Sequence, residues 1–188
     1  MAEPPPASPS QLGVATAALI PARECGDAVG PIVRSLVHLG LSVTVVDDGS
    51  SDGTGREAAA AGARVLARPV PAGKGAALRL GLADLLRDPA LDWILLMDGD
   101  GQHLPAEAER LLRARAPGID LILGNRMGQS EHFPPLRLWA NRLGTGLVAL
   151  LTREPIPDSQ CGFRVLRASL ARSIRIESDG FGVDAEIL

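Results

Sequence analysis

Short apolar runs alternate with stretches of helical spacing along most of this 188-residue chain. The runs rich in β-forming residues cover 14–22, 42–48, 63–69, 93–98 and 119–126. Between them, apolar residues recur every three or four positions, as in Val29, Ile32, Val33, Leu36 and Val37, and again in Leu78, Leu82, Leu85 and Leu86. Strands that alternate with helices form a parallel sheet covered on both faces, so each strand is apolar along its length. We therefore predict an α/β fold with an open, mostly parallel sheet and helices on both faces.

The pattern changes beyond Pro134. A helix is predicted over about 136–151, followed by a proline-rich turn, a short strand and a final helical segment. The first residues, 1–12, are rich in proline and have neither a basic start nor an apolar core, which predicts a disordered tail and not a signal peptide. The remainder, 13–188, has the size of one domain.

Composition and charge narrow the classes of function. The formal net charge of -3 at pH 7 gives no general attraction to nucleic acid or anionic lipid, so a polyanion would need local cations or a metal ion. Two cysteines, Cys25 and Cys161, are too few for a disulfide framework or a zinc site, which is typical of a reducing cytosol. No apolar run reaches the roughly 20 residues that span a bilayer. We expect a cytoplasmic protein without nucleic-acid partners, and the sequence carries no signal for an oligomeric state.

The stretch WILLMDGDGQH, residues 93–103, ends a buried strand in two carboxylates. Side chains two positions apart in an extended strand point to the same face, which would place Asp98 and Asp100 roughly 6–7 Å apart. Gln102 would continue that face. Converging carboxylates repel each other unless a hard divalent cation lies beside them, and Mg²⁺ and Mn²⁺ prefer such oxygen ligands. The alternative is an Asp-Gly turn with solvated carboxylates.

Other strand ends also carry polar groups, and ligands of open α/β sheets bind beyond the carboxyl ends of the strands. VVDDGSSDGT places Asp47 and Asp48 at the end of the second strand, where a carboxylate can accept hydrogen bonds from a ribose or a base. A helix N-cap would account for Ser51 or Asp52 but not for that pair. Glycines around Lys74 in AGKGAALRLGL allow close approach of a backbone, although their spacing is not that of a P-loop.

These motifs occur together in one order along the chain: LIPA, VVDDGSSDGT, GKGAALRLGL, LLMDGDGQH, GNR, DSQCGFR and FGVDAEIL. With them the chain resembles the family-2 glycosyltransferases of the GT-A fold, and within these the enzymes that act on polyprenyl or dolichyl phosphate. The resemblance implies an inverting hexosyltransferase that depends on Mg²⁺ or Mn²⁺ and uses a UDP- or GDP-linked sugar. It also implies a polyprenyl phosphate or a similar acceptor, met by a peripheral protein at the inner face of the membrane.

The resemblance assigns roles to the matching positions. The nucleotide would contact Pro21, Ala22, Glu24, Asp47, Asp48, Gly49, Lys74, Asp98 and Gly99. The cation would be held by Asp98, Asp100 and Gln102. The acceptor would contact Arg126, Asn141, Arg142 and Arg164, and the residues expected to act in the reaction are Asp100, Arg126 and Asp158. A lipid phosphate needs no base, whereas for an alcohol acceptor Asp158 is the first candidate base and Asp184 the second.

Two features depart from the family pattern. The first loop reads IPARECG, so Arg23, Glu24 and Cys25 occupy the positions of Tyr, Asn and Glu in relatives. The sequence also stops at AEIL, where relatives continue, so the catalytic domain of 13–188 is expected to end early. The alternative function is therefore a nucleotide-sugar-binding module of the same fold with impaired catalysis. A third hypothesis is a Mg²⁺-dependent phosphotransfer domain, because such domains also cluster aspartates at strand ends.

Overall fold

The computed structural model describes residues 15–103, 105–124, 161–180 and 182–188. The elements in these ranges, in chain order, are β1 (Thr16–Ala22), α1 (Gly26–His38), β2 (Ser42–Asp47), α2 (Thr54–Ala60), β3 (Arg64–Ala67), α3 (Lys74–Leu85), β4 (Trp93–Leu96), α4 (Pro105–Arg113), β5 (Leu121–Leu123), β6 (Arg164–Arg167), α5 (Ala168–Ser173) and α6 (Val183–Glu186). Strands and helices alternate from β1 to β5, which confirms the predicted α/β class.

The strands of the described ranges form one six-stranded sheet in the order β3-β2-β1-β4-β6-β5. β1 pairs in parallel with β2 and β4, and β2 pairs in parallel with β3. β6 runs antiparallel to both of its neighbours, β4 and β5. The sheet is therefore mostly parallel with one reversed strand, and the carboxyl ends of β1 to β4 lie at the same edge.

Two apolar layers cover opposite faces of the sheet. Successive residues of β1 alternate between them: Ala18 and Ile20 belong to the layer with α1, α2 and α4, whereas Ala17 and Leu19 belong to the layer with α3, α5 and α6. All four side chains are at most 1% exposed. The central strand is thus apolar on both faces because helices cover both, as the continuous apolar runs predict.

Helix α1 buries the stripe that its spacing predicts, with one exception. Val29, Ile32, Val33 and Leu36 are buried against the sheet, whereas Val37 is 41% exposed. At about 100° per residue, Val37 lies at the margin of the apolar stripe, where solvent reaches it.

The strands are shorter than the apolar runs that predict them. β1 begins at Thr16, β5 covers three residues of the predicted 119–126, and β4 ends at Leu96. A ladder needs a paired neighbour, and β4 pairs with β1 over four residues. The predicted tail, 1–12, and the helix predicted over about 136–151 lie outside the described residues. None of the helices in the described ranges is both long and apolar enough to cross a membrane.

Helix α3 packs closely on the sheet at a glycine. A Cβ atom built at Gly81 would overlap Leu19 Cδ1 and would lie 3.0 Å from Val46 Cγ2. Both of those side chains are fully buried, so neither has free space into which to move. The glycine therefore sets the distance between α3 and the sheet, and with it the position of Lys74 at the start of the helix.

We predict that Gly81→Ala lowers the free energy of unfolding by roughly 1–3 kcal/mol, because the added methyl group overpacks the core. Gly30→Ala in α1 is the matched control, since its Cβ would lie 3.4 Å from the flexible end of Arg34. That substitution gains helix propensity and is expected to raise the free energy of unfolding by up to about 1 kcal/mol. Denaturant unfolding of the two variants measures the difference, and effects of the same sign and size would contradict this packing.

Candidate active site

The carboxyl ends of four parallel strands bring four loops to one edge of the sheet. These loops are 23–25 after β1, 48–53 after β2, 68–73 after β3 and 97–103 after β4. Because β1 lies between β2 and β4, the acidic residues after β2 and after β4 flank the loop after β1. This is the edge at which open α/β sheets bind their ligands.

The segment after β4 is a turn and not an extended strand. The strand ends at Leu96, and the chain then turns through Gly99 and Gly101, the second of which has a φ of +80°. A Cβ at Gly99 would lie 3.1 Å from Ala22 Cβ, so the backbone of the turn packs against the end of β1. The extended conformation that would place Asp98 and Asp100 on one face does not continue through this segment, because the chain turns at residues 99–101.

The two carboxylates of the turn differ in their exposure to solvent. Asp100 is exposed and accepts a hydrogen bond from the backbone N–H of Gln102 at 3.0 Å. The Asp98 side chain is 22% exposed. Burial raises the pKa of the Cys25 thiol, and the negative charges of Asp100, Asp52 and Asp98 raise it further. The Cys25 thiol is therefore surrounded by negative charge at this edge of the sheet.

Lys74, at the start of α3, joins the turn to the C-terminal helix α6. Its ammonium lies 2.8 Å from Asp98 Oδ1 and donates to Asp184 Oδ2 at 2.9 Å. The three side chains are 11%, 22% and 6% exposed for Lys74, Asp98 and Asp184, so water screens these pairs only in part. Asp184 is separated from Lys74 by 110 positions, and this pairing was not predicted from the sequence.

Arg164 extends the charged cluster into the core. Its side chain is fully buried, donates to the carbonyl oxygens of Asp184 at 3.0 Å and Cys161 at 2.5 Å, and lies 3.5 Å from Asp184 Oδ1. A Cβ at Gly162 would lie 2.5 Å from Lys74 Nζ, which shows how closely the segment before β6 approaches the cluster. These contacts position Asp184, and the role of Arg164 in binding an acceptor stays a prediction.

The two acids at the end of β2 accept hydrogen bonds from backbone N–H groups. Asp47 accepts from the N–H of Ser50 at 3.0 Å and of Gly55 at 3.1 Å. Asp48 is 4% exposed, accepts from Ala72 N at 3.0 Å and Gly73 N at 2.7 Å, and forms an ion pair with Arg68, whose Nε lies 3.1 Å away. Asp47 and Asp48, which a helix N-cap could not account for, therefore hold the loops after β2 and β3 in place. A contact of either acid with a nucleotide stays a prediction.

Glu24 fastens the loop after β1 to the loop after β2. Its carboxylate accepts from the N–H of Ser51 at 2.9 Å and from the Ser51 hydroxyl at 3.2 Å, and its own N–H donates to Ser50 Oγ at 3.0 Å. The residue has a φ of +50°, which is uncommon outside glycine. Glu24 therefore holds the altered IPARECG loop against the loop after β2.

A second set of contacts joins the same two loops. Asp52 accepts from the N–H of Gly26 at 2.8 Å and from the Thr54 hydroxyl at 2.6 Å, and these hydrogen bonds hold the pKa of Asp52 below its usual range. Thr54 Oγ1 in turn accepts from the N–H of Cys25 at 2.8 Å. The first residues of α1 and α2 are thereby fixed relative to each other.

A cavity of about 650 Å³ opens beside these loops. It is lined by Glu24, Cys25 and the first turns of α1, by Asp52, Arg56 and Glu57, and by Asp100. The turn after β4 and the segment after β2 therefore share one recess, as a site that spans several strand ends requires.

The donor atoms of the turn fit a hard divalent cation. Asp98 and Asp100 supply carboxylate oxygens, and Mg²⁺ and Mn²⁺ are commonly held by one or two carboxylates with the remaining positions left to water and phosphate. Within the described ranges, no three His, Cys, Asp or Glu side chains group together as a metal site. A cation here would thus take further ligands from its substrate, and Gln102 as a ligand stays a prediction.

A comparison with protein families matches residues 17–175 to the model described as Glycosyl transferase family 2. The chain belongs to glycosyl transferase family 2. The match covers the acidic turn, the loops after β1 to β3 and strand β6. The hypothesis of a phosphotransfer domain is set aside, and the predicted family is confirmed.

Two curated relatives of this glycosyltransferase are named for glycosyl transfer or for a polyprenol-linked sugar. Glycosyltransferase AglJ of Haloferax volcanii is 31% identical over 150 residues, which are 78% of this chain and 48% of that protein. Polyprenol monophosphomannose synthase of Mycolicibacterium smegmatis is 33% identical over 166 residues, 80% of this chain and 62% of that protein. The chain thus spans about half to two thirds of the length of these relatives.

A solved structure shows the fold of the glycosyltransferase. Glucosyl-3-phosphoglycerate synthase from Mycobacterium tuberculosis, crystallised with Mn²⁺, uridine diphosphate and phosphoglyceric acid, matches with a TM-score of 0.74 and 24% identity. The match covers 98% of this chain and 68% of that one. The glycosyltransferase therefore has the predicted GT-A fold.

The glycines at the start of α3 allow another segment of the same chain to approach closely. Gly75 N donates to Asp179 O at 2.8 Å, and a Cβ at Gly75 would overlap Ser178 O. A Cβ at Gly73, whose φ is +98°, would overlap Asp179 O. The close backbone approach that these glycines predict is thus made by residues 178–179, about a hundred positions away, and it occupies the N-terminus of α3.

The remaining predicted site residues divide into two groups. Pro21 and Ala22 end β1, Gly49 follows Asp48 with a φ of +74°, and Gly99 packs on β1, so all four line the same sheet edge. Arg126, Asn141, Arg142 and Asp158 lie outside the described residues. The roles of both groups stay predictions.

We predict that Asp48→Asn lowers the free energy of unfolding by roughly 2–3 kcal/mol, because an amide has one acceptor oxygen for the two backbone N–H groups and no charge to pair with Arg68. Asp120→Asn is the control, since that carboxylate is 66% exposed and is expected to change stability by less than about 0.5 kcal/mol. Urea unfolding measures both variants. A loss for Asp48→Asn no larger than that of the control would show that the two loops do not depend on this carboxylate.

Proposed function

We propose that this glycosyltransferase moves a hexose from a UDP- or GDP-linked sugar to a polyprenyl phosphate or a similar acceptor, with inversion and with Mg²⁺ or Mn²⁺. The observation that carries the proposal is the recess that Asp100 shares with the loops after β1 and β2. The named activity of the mycobacterial relative supports a lipid phosphate acceptor. The Mn²⁺ and uridine diphosphate bound by the structural neighbour support the donor and the cation.

The turn after β4 would hold the diphosphate of the donor. Asp98 and Asp100 would bind the cation, with Gln102 as a further oxygen ligand. The bound cation would stabilise the negative charge that develops on the departing nucleoside diphosphate. Lys74 would add a second positive charge on the side of Asp98.

The loops after β1 and β2 would hold the nucleoside. Pro21, Ala22, Gly49 and Gly99 would form its backbone walls, with Glu24 at the rim. A carboxylate has about four lone-pair sites, so Asp47 and Asp48 can keep their contacts with the loops and still accept from a ribose or a base. Their observed hydrogen bonds would keep these oxygens in place before the nucleotide arrives.

The acceptor would contact residues from the later part of the chain. Arg126, Asn141, Arg142 and Arg164 are the candidates for contact with its phosphate. A phosphate oxygen is already anionic and needs no general base. If the acceptor is an alcohol, Asp158 remains the candidate base, because the oxygens of Asp184 are engaged by Lys74 and Arg164.

We predict that Asp100→Ala lowers kcat/KM by about 10²-fold or more, because the cation loses a ligand and the leaving group loses stabilisation. The assay measures release of the nucleoside diphosphate from UDP- and GDP-hexoses with polyprenyl phosphate, with and without Mn²⁺. Asp88→Ala removes a carboxylate from the turn after α3 and serves as the control with unchanged turnover.

Equal turnover in Asp100→Ala and the unsubstituted protein would reject the proposal. Calorimetry separates the alternative function from it. Binding of UDP or GDP without transfer to lipid phosphates, phosphorylated small molecules or alcohols would identify a nucleotide-sugar-binding module with impaired catalysis. The engagement of Glu24 by Ser51 is the observation that keeps this alternative open, since that acid is then occupied within the protein.

A further inference from the structure

The ammonium of Lys74 lies between two carboxylates that differ in their surroundings. Asp184 is 6% exposed and is also close to the fully buried Arg164, whereas Asp98 is 22% exposed and belongs to the turn proposed to bind the cation. The four side chains form an alternating row of charges, Arg164, Asp184, Lys74 and Asp98, that leads from the core to the sheet edge. The charges of this row sum to zero, so every member is compensated by a neighbour.

The two contacts of Lys74 cannot respond in the same way when a divalent cation binds. A cation at Asp98 repels the ammonium that lies 2.8 Å from the same carboxylate, and the two compete for its negative charge. The contact with Asp184 faces the core and is not open to a cation at the turn. Lys74 therefore has one contact that a cation weakens and one that it leaves in place.

We propose that Asp184 is a positioning residue that anchors Lys74, and that Lys74 is the built-in countercharge of Asp98 which a divalent cation replaces. Held by Asp184, the displaced ammonium stays within a few ångströms of Asp98, where it faces the anionic diphosphate brought by the donor. Asp184 thereby joins α6 to the start of α3. The inference rests on the proposed cation-dependent transfer.

The sequence offers a reporter for this inference, because Lys74 is the only lysine in the chain. Protein labelled with ¹³C-lysine and made without a lysine-containing tag gives one side-chain signal in an NMR spectrum. We expect that signal to shift as MgCl₂ is added without any nucleotide, and the shift to saturate. Absence of a saturable shift would overturn the proposal, and no substitution is needed for this measurement.

Two substitutions separate the anchor from the countercharge. In Asp184→Asn the lysine signal is expected to narrow and move toward that of a free lysine side chain. In Asp98→Asn it is expected to keep the position of a held side chain but to lose its response to MgCl₂. Circular dichroism checks folding, because Asp184 also compensates Arg164. If Asp184→Asn does not fold, Asp98→Asn decides alone: a signal typical of free lysine there would show that Asp184 is not the anchor.

The affinity for Mn²⁺ gives a second readout that does not depend on activity. Lys74→Met is expected to bind Mn²⁺ about five- to tenfold more tightly without nucleotide, because the competing positive charge is gone. Arg87→Met is the matched control, since it removes one positive charge that is 81% exposed just beyond the same helix. Electron paramagnetic resonance of free Mn²⁺ measures both. Affinity in Lys74→Met equal to or weaker than in the control would overturn the proposal.

These measurements and the transfer assay can fail independently. The NMR and Mn²⁺ experiments use the metal ion alone, without a sugar donor or an acceptor. Full turnover in Asp100→Ala would reject the proposed function. It would not change the measured response of the Lys74 signal to Mg²⁺. Conversely, a lysine signal that does not shift with MgCl₂, in a protein that transfers hexose, would overturn this inference and leave the proposed function in place.

Discussion

The contact of Lys74 with Asp98 and Asp184 ties together parts of the chain that are far apart in sequence. It links the start of α3, the turn after β4 and the short C-terminal helix α6. A charge this poorly solvated is tolerated only with an opposite charge beside it, so each member of the cluster constrains the next. Gly75 and Gly162 provide the space, because a side chain at either position would collide with backbone or with the ion pair. The position of the acidic turn therefore depends on how the C-terminal segment docks.

The acids at the sheet edge differ in their contacts. Asp47, Asp48 and Asp52 accept hydrogen bonds from backbone N–H groups and hold neighbouring loops together. Asp47 and Asp48 are buried, and a carboxylate removed from water needs such donors, whereas Asp52 is exposed and makes its contacts at the surface. Asp100 is exposed and accepts one backbone hydrogen bond, from Gln102. Asp52 and Asp100 line the recess, and Asp47 and Asp48 hold the loops beside it.

The charges at the sheet edge bear on the chemistry proposed for it. The proposed transfer would require positive charge where negative charge develops on the departing diphosphate. The described edge is rich in acids and holds the cation Lys74 beside Asp98. In the proposed function a divalent metal ion would be the main source of positive charge at this edge, with Lys74 as its neighbour.

The sequence by itself determined the class of fold and the location of the candidate site at the strand ends. Apolar periodicity reports local burial, so the alternation of strands and helices, the buried stripe of α1 and the acids beyond β2 and β4 could all be predicted from short segments. Family motifs added the transferase identity. The tertiary structure decided which partners those residues have: Lys74 meets Asp184, Gly75 meets Ser178, and Asp48 meets the loop after β3. It also decided that the acidic turn is folded, through the packing of Gly99 on β1. The physical reason is that these contacts join segments from 24 to 110 positions apart, and closure of the whole sheet brings them together, which no local spacing encodes.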